Sequence, residues 1–461
     1  MLRIGSVAVE NAVAYLRQHR PEHLDWALTL CRIPSISTKA EHKSDVAAAA
    51  QWTRDLCAQI GLSARLYETG GHPLVYAEHC QAQGAPTYLV YGHLDVQPEG
   101  DLSLWNAGPF EPVIKDGLLY ARGASDDKGQ VLIHLRAAAA WLAAEHRLPV
   151  NLKFLLEGEE EISSPHLAPF LRTHADLLRC DHVLISDTGM YAEGWPTVTY
   201  GTRGLLYKEI RLAGPKHDLH SGGYGGTIAN PANVLAELIA SLHDADGRVA
   251  IPGFYDDVAD ASSTERAQLA ALPHDDQQYL ADLGSPGVCG ETGYTTNERR
   301  WIRPTLDVNG IYGGFMAEGA NTIIPARAGA KISMRLVPNQ SGEQLSGLFD
   351  GTIRQRCPNT VRLEILNHGS ADAYMAPLDS RPMQAARRAL HEAFGREPAF
   401  IREGGSLPIL PMFKRVLGAD SLMLGFAGPN CNAHGPNENV SLADLDRGAE
   451  AVARLYGYLA Q

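Results

Sequence analysis

Apolar positions recur at helical spacing over residues 7–32, interrupted at Pro21, and again over 45–60. Strand-like and helical runs then alternate. LVYAEH (74–79) and TYLVYGHLDV (87–96) predict strands, and QVLIHLRAAAAWLAAEH (130–146) predicts a helix opening after Asp126-Asp127-Lys128-Gly129. LKFLLEGEE (152–160) and HVLISD (182–187) predict strands again. This alternation is the pattern of an α/β fold: a mixed, mostly parallel sheet with helices on both faces.

The style changes near residue 203. GLLYKEIRLAG predicts a strand, PANVLAELIASLHD a helix, and a polar stretch over roughly 245–300 carries only weak helical signal. TLDVNGIYGG and IIPARAGAKISMRLVP predict strands, followed by a helix near 342–356 and the strand VRLEILNHG. Two strand–helix–strand halves suggest a small four-stranded sheet with two helices on one face, an α+β ferredoxin-like unit. From about residue 375 the earlier style returns: the helix RPMQAARRALHEAF, the Gly-rich loop REGGSLP, the strand SLMLGF, a loop around His434 and a last helix. The expected organisation is one domain from 1–202 and 375–461, with a second domain, 203–374, inserted in it. A chain of 461 residues exceeds one compact core, which agrees with two domains.

Charge and cysteine usage narrow the setting. With 53 acidic and 40 basic side chains the net charge is −13, which argues against a nucleic-acid partner. The seven cysteines are scattered, and no two are at C-x-x-C spacing, so they read as reduced thiols. The N-terminal stretch lacks the apolar core of a signal peptide. The longest apolar run, near Ala137 to Ala144, is too short to cross a bilayer. A cytoplasmic protein with no membrane partner is expected.

The chemistry lies at strand ends. His93 and Asp95 stand two apart in YGHLDV and so point to the same side. Asp95 is placed to accept from the far ring nitrogen of His93 and fix its tautomer. Asp126 opens a helix, and Asp187 ends HVLIS. Glu160 and Glu161 end another strand, where one can bind metal while the other stays free as a base. His434 sits in the loop NAHGPNE. Each residue alone has an ordinary explanation: a solvated histidine, an acidic helix start favoured by the dipole, a helix cap, an acidic turn. Together, two imidazoles and several carboxylates delivered to one rim are what a pair of divalent metals needs. Such a pair beside a free carboxylate hydrolyses amide bonds.

These residues lie in motifs spread over nearly the whole chain: RIPSIS, YGHLDVQP, DGLLYARGASDDKGQ, EGEEEIS, YGTRG, DLHSGGYGG, TIIPARAGAKISMRLVP, REGGSLP and AHGPNE. In combination they resemble the aminoacylase–carnosinase–carboxypeptidase family of co-catalytic metallopeptidases, nearest its cytosolic non-specific dipeptidase branch. The resemblance implies a di-zinc exopeptidase-like catalytic domain with a lid. It implies one metal on His93, Asp126 and Asp187, and a second on Asp126, Glu161 and His434. Asp95 would orient His93, and Glu160 would be the general base. A cis peptide is expected at Asp126–Asp127. In the lid, His220 resembles the histidine that crosses a homodimer interface to polarise the scissile carbonyl. Arg335 resembles the arginine that holds the substrate carboxylate, a natural task for a guanidinium fork. Thr322, His368, Gly405 and Ser406 are further candidate substrate contacts. The polar insertion near 245–300 is expected to shape the lid or the interface.

The implied activity is hydrolysis of dipeptides or short peptides with a free C-terminal carboxylate, using two divalent ions. Zinc or manganese fits the ligand types, with cobalt also compatible. An N-acyl-amino-acid deacylase on the same site is the alternative enzyme, and a non-catalytic peptide-binding protein the alternative class. The chain departs from the family pattern at Ala121 and Ser163, where glycine is usual; neither change removes a ligand.

Overall fold

The computed structural model describes residues 6–461. Residues 6–200, Ala376–Ile401 and Met412–Gln461 form one compact unit. Gly201–Met375 and Arg402–Pro411 form a second.

In the first unit, the main sheet runs Ser63–Tyr67, Leu74–His79, Asn151–Glu157, Thr87–His93, His182–Ile185, Asp420–Gly425, Thr197–Thr202. Its four central strands are parallel, and the flanking pairs are antiparallel. The central strands are apolar without alternation because both of their faces are covered. Tyr88 through His93 are all buried, as are Val183 through Ile185. Parallel strands share one carboxyl edge. His93 closes its strand opposite Glu157, and the segments carrying Asp187 and His434 leave from the same edge. In open α/β sheets that edge is where ligands bind.

Helix Lys128–Glu145 is buried on every side from Lys128 to Trp141, which explains its uniformly apolar sequence. It packs against helices Ser6–Gln18, Arg20–Cys31 and Leu442–Leu459. Pro21 sits in the first turn of Arg20–Cys31, where its missing N–H leaves no intrahelical bond unmade. Lys128 is itself buried and donates to Leu30 O at 3.1 Å and Ile33 O at 2.7 Å, closing the end of that helix.

The second unit follows a β-α-β-β-α-β order: Gly204–Ala213, helix Pro231–Ala240, Thr305–Gly313, Arg327–Leu336, helix Gly342–Arg356 and Arg362–Ala371. The four strands make an antiparallel sheet in the order Thr305–Gly313, Arg327–Leu336, Gly204–Ala213, Arg362–Ala371. Alternation places Leu206, Ile210, Ile332 and Met334 on one face, against Leu235, Leu238, Phe349 and Ile353 of the helices. The residues between them, Arg335 and Glu209 included, therefore belong to the other face. The 245–300 stretch carries three short helices, Ser263–Ala270, Asp276–Leu283 and Thr296–Trp301. The last starts with a Thr295–Glu298 capping box.

Arg402–Pro411, expected with the first domain, groups instead with the second unit. Polar contacts draw it there: Arg203 N donates to Glu403 O at 3.1 Å, and Arg402 pairs with Glu265 at 2.5 Å. The seven cysteines are free thiols. Among the described residues no helix is long and apolar enough to cross a membrane.

Candidate metal centre

The first unit brings His93, Asp126, Glu161, Asp187 and His434 together. Asp126 is the hub. Its Oδ1 lies 3.0 Å from His93 Nε2 and its Oδ2 2.9 Å from His434 Nε2, so each imidazole addresses a different oxygen of one carboxylate. Asp187 Oδ1 is 3.8 Å from His93 Nε2, and Glu161 Oε2 is 3.5 Å from His434 Nε2. The Asp126–Asp127 peptide is cis, as the resemblance implied.

Main-chain N–H groups hold these side chains in place. The Asp95 carboxylate accepts from Glu160 N at 3.2 Å and Glu161 N at 3.0 Å, which fixes the turn carrying both glutamates. Its relation to His93 differs from expectation. The nearest acceptor for His93 Nδ1 is the Asp95 main-chain carbonyl at 3.0 Å, while the carboxylate stands at 3.5 Å. The carboxylate is engaged by the two amides, so the carbonyl holds a proton on Nδ1 and turns Nε2 toward Asp126, the orientation a metal-binding imidazole needs.

Sequence reasoning missed Glu438, although its motif was recognised. Glu438 is fully buried and accepts from Gly123 N, Ser125 N and Asp126 N at 3.0–3.1 Å, from Ser125 Oγ at 3.0 Å, and from Arg122 Nη1 at 2.7 Å. Arg122 also donates to His434 O at 3.2 Å. One buried ion pair thus fixes both the Asp126 loop and the His434 loop. The AHGPNE motif carries Glu438, but its partners lie more than three hundred residues upstream. Asp127 was named only as a neighbour of Asp126. It is buried, and with His93 and Asp187 it forms a second group of donor atoms within 4.8 Å; the other group is His93, Asp126 and Glu161.

The electrostatics report an excess of acid. Burial raises Glu160 to about 8, with Asp187, Glu161 and Asp126 adding to the rise against His93. Burial likewise raises Glu161 to about 7 and pushes Asp187 up. Burial also works to raise Asp126, but its bonds to His434 and His93 hold it below the ordinary carboxylate range. The bond to Asp126 lifts His434 to about 9. Crowded carboxylates that resist ionising are what a site looks like when its charge balance calls for cations. Glu161 Oε1 is buried with no hydrogen-bond partner, an acceptor left for a ligand. The donor set of imidazole Nε2 and carboxylate oxygens therefore fits divalent metal ions. No protein donor among the described residues reaches the Glu160 carboxylate.

The lid candidates fall into three places in the second unit. His220 and Thr322 flank a short ladder, with His220 opposite Ile323 and Ser221 N donating to Thr322 O at 2.9 Å. His220 is exposed, and its Nδ1 accepts from Gly222 N at 3.1 Å and Gly223 N at 3.2 Å, so its proton sits on the outward Nε2. Arg335 Nη1 donates to Ser406 Oγ at 3.1 Å, beside Gly405. His368 stands apart from these, its Nε2 2.8 Å from Glu209 Oε2. Glu209 is also held by Tyr312 OH at 2.6 Å and Arg211 Nε at 2.7 Å.

Residues 89–457 match the family model for peptidase family M20/M25/M40. The chain belongs to that family. It is 31% identical to a human Beta-Ala-His dipeptidase over 395 residues, 84% of this chain and 78% of that protein. It is 30% identical to a Cys-Gly metallodipeptidase of Schizosaccharomyces pombe over 432 residues, 90% and 91% of the two chains. Among solved structures, an M20 family metallo-carboxypeptidase of Sulfolobus solfataricus superposes with a TM-score of 0.84 at 32% identity, covering 95% of this chain and 99% of that one. A dipeptidase of Saccharomyces cerevisiae superposes at 0.81, with 27% identity and 98% of each chain covered. An M20 metallopeptidase works with divalent ions, and the acid-rich rim holds the candidate residues for them.

Proposed function

We propose that this chain cleaves dipeptides and short peptides bearing a free C-terminal carboxylate at a centre of two divalent ions. His93, Asp126 and Asp187 would hold one ion, and Asp126, Glu161 and His434 the other. The chain is a metal-dependent dipeptidase of the M20 family; the ligand assignment, the number of ions and the choice of zinc or manganese are the proposed part. The observation that carries the assignment is the Asp126 carboxylate, whose two oxygens each face a different imidazole. Bound there, the ions would supply an acidified water and polarise the scissile carbonyl.

The remaining steps belong to the chain's own side chains. Glu160 takes the proton of the attacking water and returns it to the departing amine. It is suited to this because its carboxyl lies within electrostatic reach of His93, Asp187, Glu161 and Asp126, and no protein donor among the described residues occupies it. His220 donates its Nε2–H to the developing oxyanion across a homodimer interface formed by the second unit. Arg335, steadied by Ser406, takes the substrate carboxylate, with Thr322 and His368 as further contacts. A free C-terminal carboxylate agrees with a metallo-carboxypeptidase among the structural neighbours. The dipeptidases among the relatives do not favour the deacylase alternative.

The test is hydrolysis of a dipeptide panel beside N-acetyl amino acids by metal-stripped protein reloaded with zinc or manganese. Metal-dependent dipeptide cleavage is expected. Cleavage of acylated amino acids alone would overturn the substrate assignment.

A further inference from the structure

Arg203, in the YGTRG motif, has no role in the chemistry above, yet it makes more main-chain contacts than any lid candidate. Its Nε donates to Gly404 O at 3.1 Å, and its Nη1 reaches Arg303 O at 3.2 Å and Arg299 O at 3.5 Å. Its own N–H bonds Glu403 O at 3.1 Å. Three segments therefore meet on one guanidinium: the start of strand Gly204–Ala213, the end of helix Thr296–Trp301 in the polar insertion, and the turn leading to Ser406. The carbonyls at that helix end have no intrahelical partner, and a cation there also meets the negative end of the dipole. Fit at the turn is close. A side chain added at Gly404 would come within 2.8 Å of Arg300 O and 2.9 Å of Arg203 Nη2.

The register puts this junction beside Arg335. Arg335 pairs with Leu205 on one side and Thr305 on the other. Residues two apart share a face, so Arg203 lies one step further along the face that carries Arg335. Among the described residues no ion pair gives Arg203 a carboxylate; its hydrogen-bond acceptors are carbonyls. Burial pushes its guanidinium down to about 10, the neighbouring charges of Arg335 and Arg300 add to this, and the carboxylate of Asp307 opposes it from beyond ion-pair distance. The cation is thus held in place by carbonyls rather than by a direct ion pair.

We infer that Arg203 is a positioning residue for the carboxylate clamp: it fixes the Gly404–Ser406 turn so that Ser406 can steady Arg335, and its charge, held by carbonyls, keeps that end of the second unit selective for a free C-terminal carboxylate. The inference rests on the proposed role of Arg335. It also gives the polar insertion a task, since helix Thr296–Trp301 supplies the Arg299 carbonyl, and the residue just past its cap the Arg303 carbonyl, that anchor Arg203.

The experiment compares Ala-Ala with Ala-Ala amide on wild type, Arg203→Met and Arg203→Lys, following thermal melting alongside. Loss of charge-assisted anchoring should raise KM for Ala-Ala about ten- to a hundredfold in Arg203→Met. KM for the amide should change less than about twofold on the same reasoning. Arg203→Lys should recover part of the loss, because it keeps the charge without the fork. Calorimetric titration of the same two compounds into metal-stripped protein reads binding without turnover and should show the same selective loss. Equal losses for acid and amide, or none for either, would overturn the inference. Wild type that cleaves neither compound would instead overturn the dipeptidase substrate assignment, and the titration would still decide the role of Arg203.

Discussion

The acidic rim of the first unit and the cationic clamp of the second solve the same problem with opposite signs. In the rim, the Asp95 carboxylate is held by the main-chain N–H groups of Glu160 and Glu161. In the clamp, Arg203 is held by the carbonyls of Gly404, Arg299 and Arg303. Peptide dipoles can fix a charged group while leaving most of its charge uncancelled, whereas a salt bridge both fixes and cancels. A site that must attract ligand charge benefits from the first arrangement. The buried ion pair Arg122–Glu438 lies behind the ligand-facing groups and ties loops together.

Removing the ligands of each surplus should have the largest effect. Chelation should abolish dipeptide hydrolysis, and zinc or manganese should restore it, because the rim's chemistry depends on the ions it holds. Glu160→Ala should then lower kcat by about 10²–10⁴ in the fully metal-loaded protein, the usual worth of a positioned general base. Metal content, measured by elemental analysis, should be unchanged in that variant. A matching loss of bound metal would move Glu160 from base to ligand.

The scaffold is the next level. Glu438→Ala leaves Arg122 buried without its carboxylate and leaves the amides of Gly123, Ser125 and Asp126 unsatisfied. Breaking a buried pair in this way costs about 3–5 kcal/mol. Denaturant unfolding would measure it. The same experiment on Arg203→Met should show a smaller loss, since the carbonyls freed there can be rehydrated at a half-buried site. If the two losses are equal, the contrast between a structural pair and a charge held by carbonyls fails.

Histidine behaviour sharpens the contrast between the rim and the core behind it. His93 and His434 face carboxylates, while His134 lies between Tyr456 OH at 3.1 Å and Ser186 Oγ at 2.8 Å, fully buried with no carboxylate. Burial lowers it to about 3, so it stays neutral in the folded protein. Its unfolded value is near the ordinary one of about 6.5. Between those values the unfolded chain binds a proton that the native state does not, so stability falls as pH drops. Above about 6.5 the contribution is complete. The slope is about 1.4 kcal/mol per pH unit for one such group. His134→Gln should flatten the dependence of stability on pH between 4 and 6 by that amount, whatever it does to absolute stability.

How legible all this was depended on range. The parallel strands and the buried helix were visible as runs of apolar residues, and the β-α-β-β-α-β order followed from alternation. The hairpin Val113–Lys115 and Leu118–Tyr120, paired with Asn439–Ser441, was not, because three-residue strands carry no period. The donor residues were readable only as a set, since each alone has an ordinary explanation. Glu438 and Arg203 were beyond reach for a different reason. Their partners are distant in sequence, and most are main-chain atoms whose positions only the folded chain reveals.

The smallest effect comes from a departure the sequence did show. Ser163 stands where the family prefers glycine, and its backbone adopts φ 69°, ψ 31°, the left-handed region, at the end of the turn Glu160–Ile162. Ser163 is exposed, and among the described residues its side chain has no hydrogen bond to offset that conformation. Left-handed geometry costs a non-glycine residue about 1–2 kcal/mol, and the extra freedom of glycine in the unfolded chain returns part of that. Ser163→Gly should therefore stabilise the protein by about 0.5–1 kcal/mol, a rise of a few degrees or less in a chain of this length. Activity should be unchanged, because Asp95 already fixes the amides of Glu160 and Glu161 from the other side. A rise in Tm with altered kcat would mean that the serine also tunes the angle at which Glu160 is presented. The turn would then belong with the catalytic groups rather than with the frame that holds them.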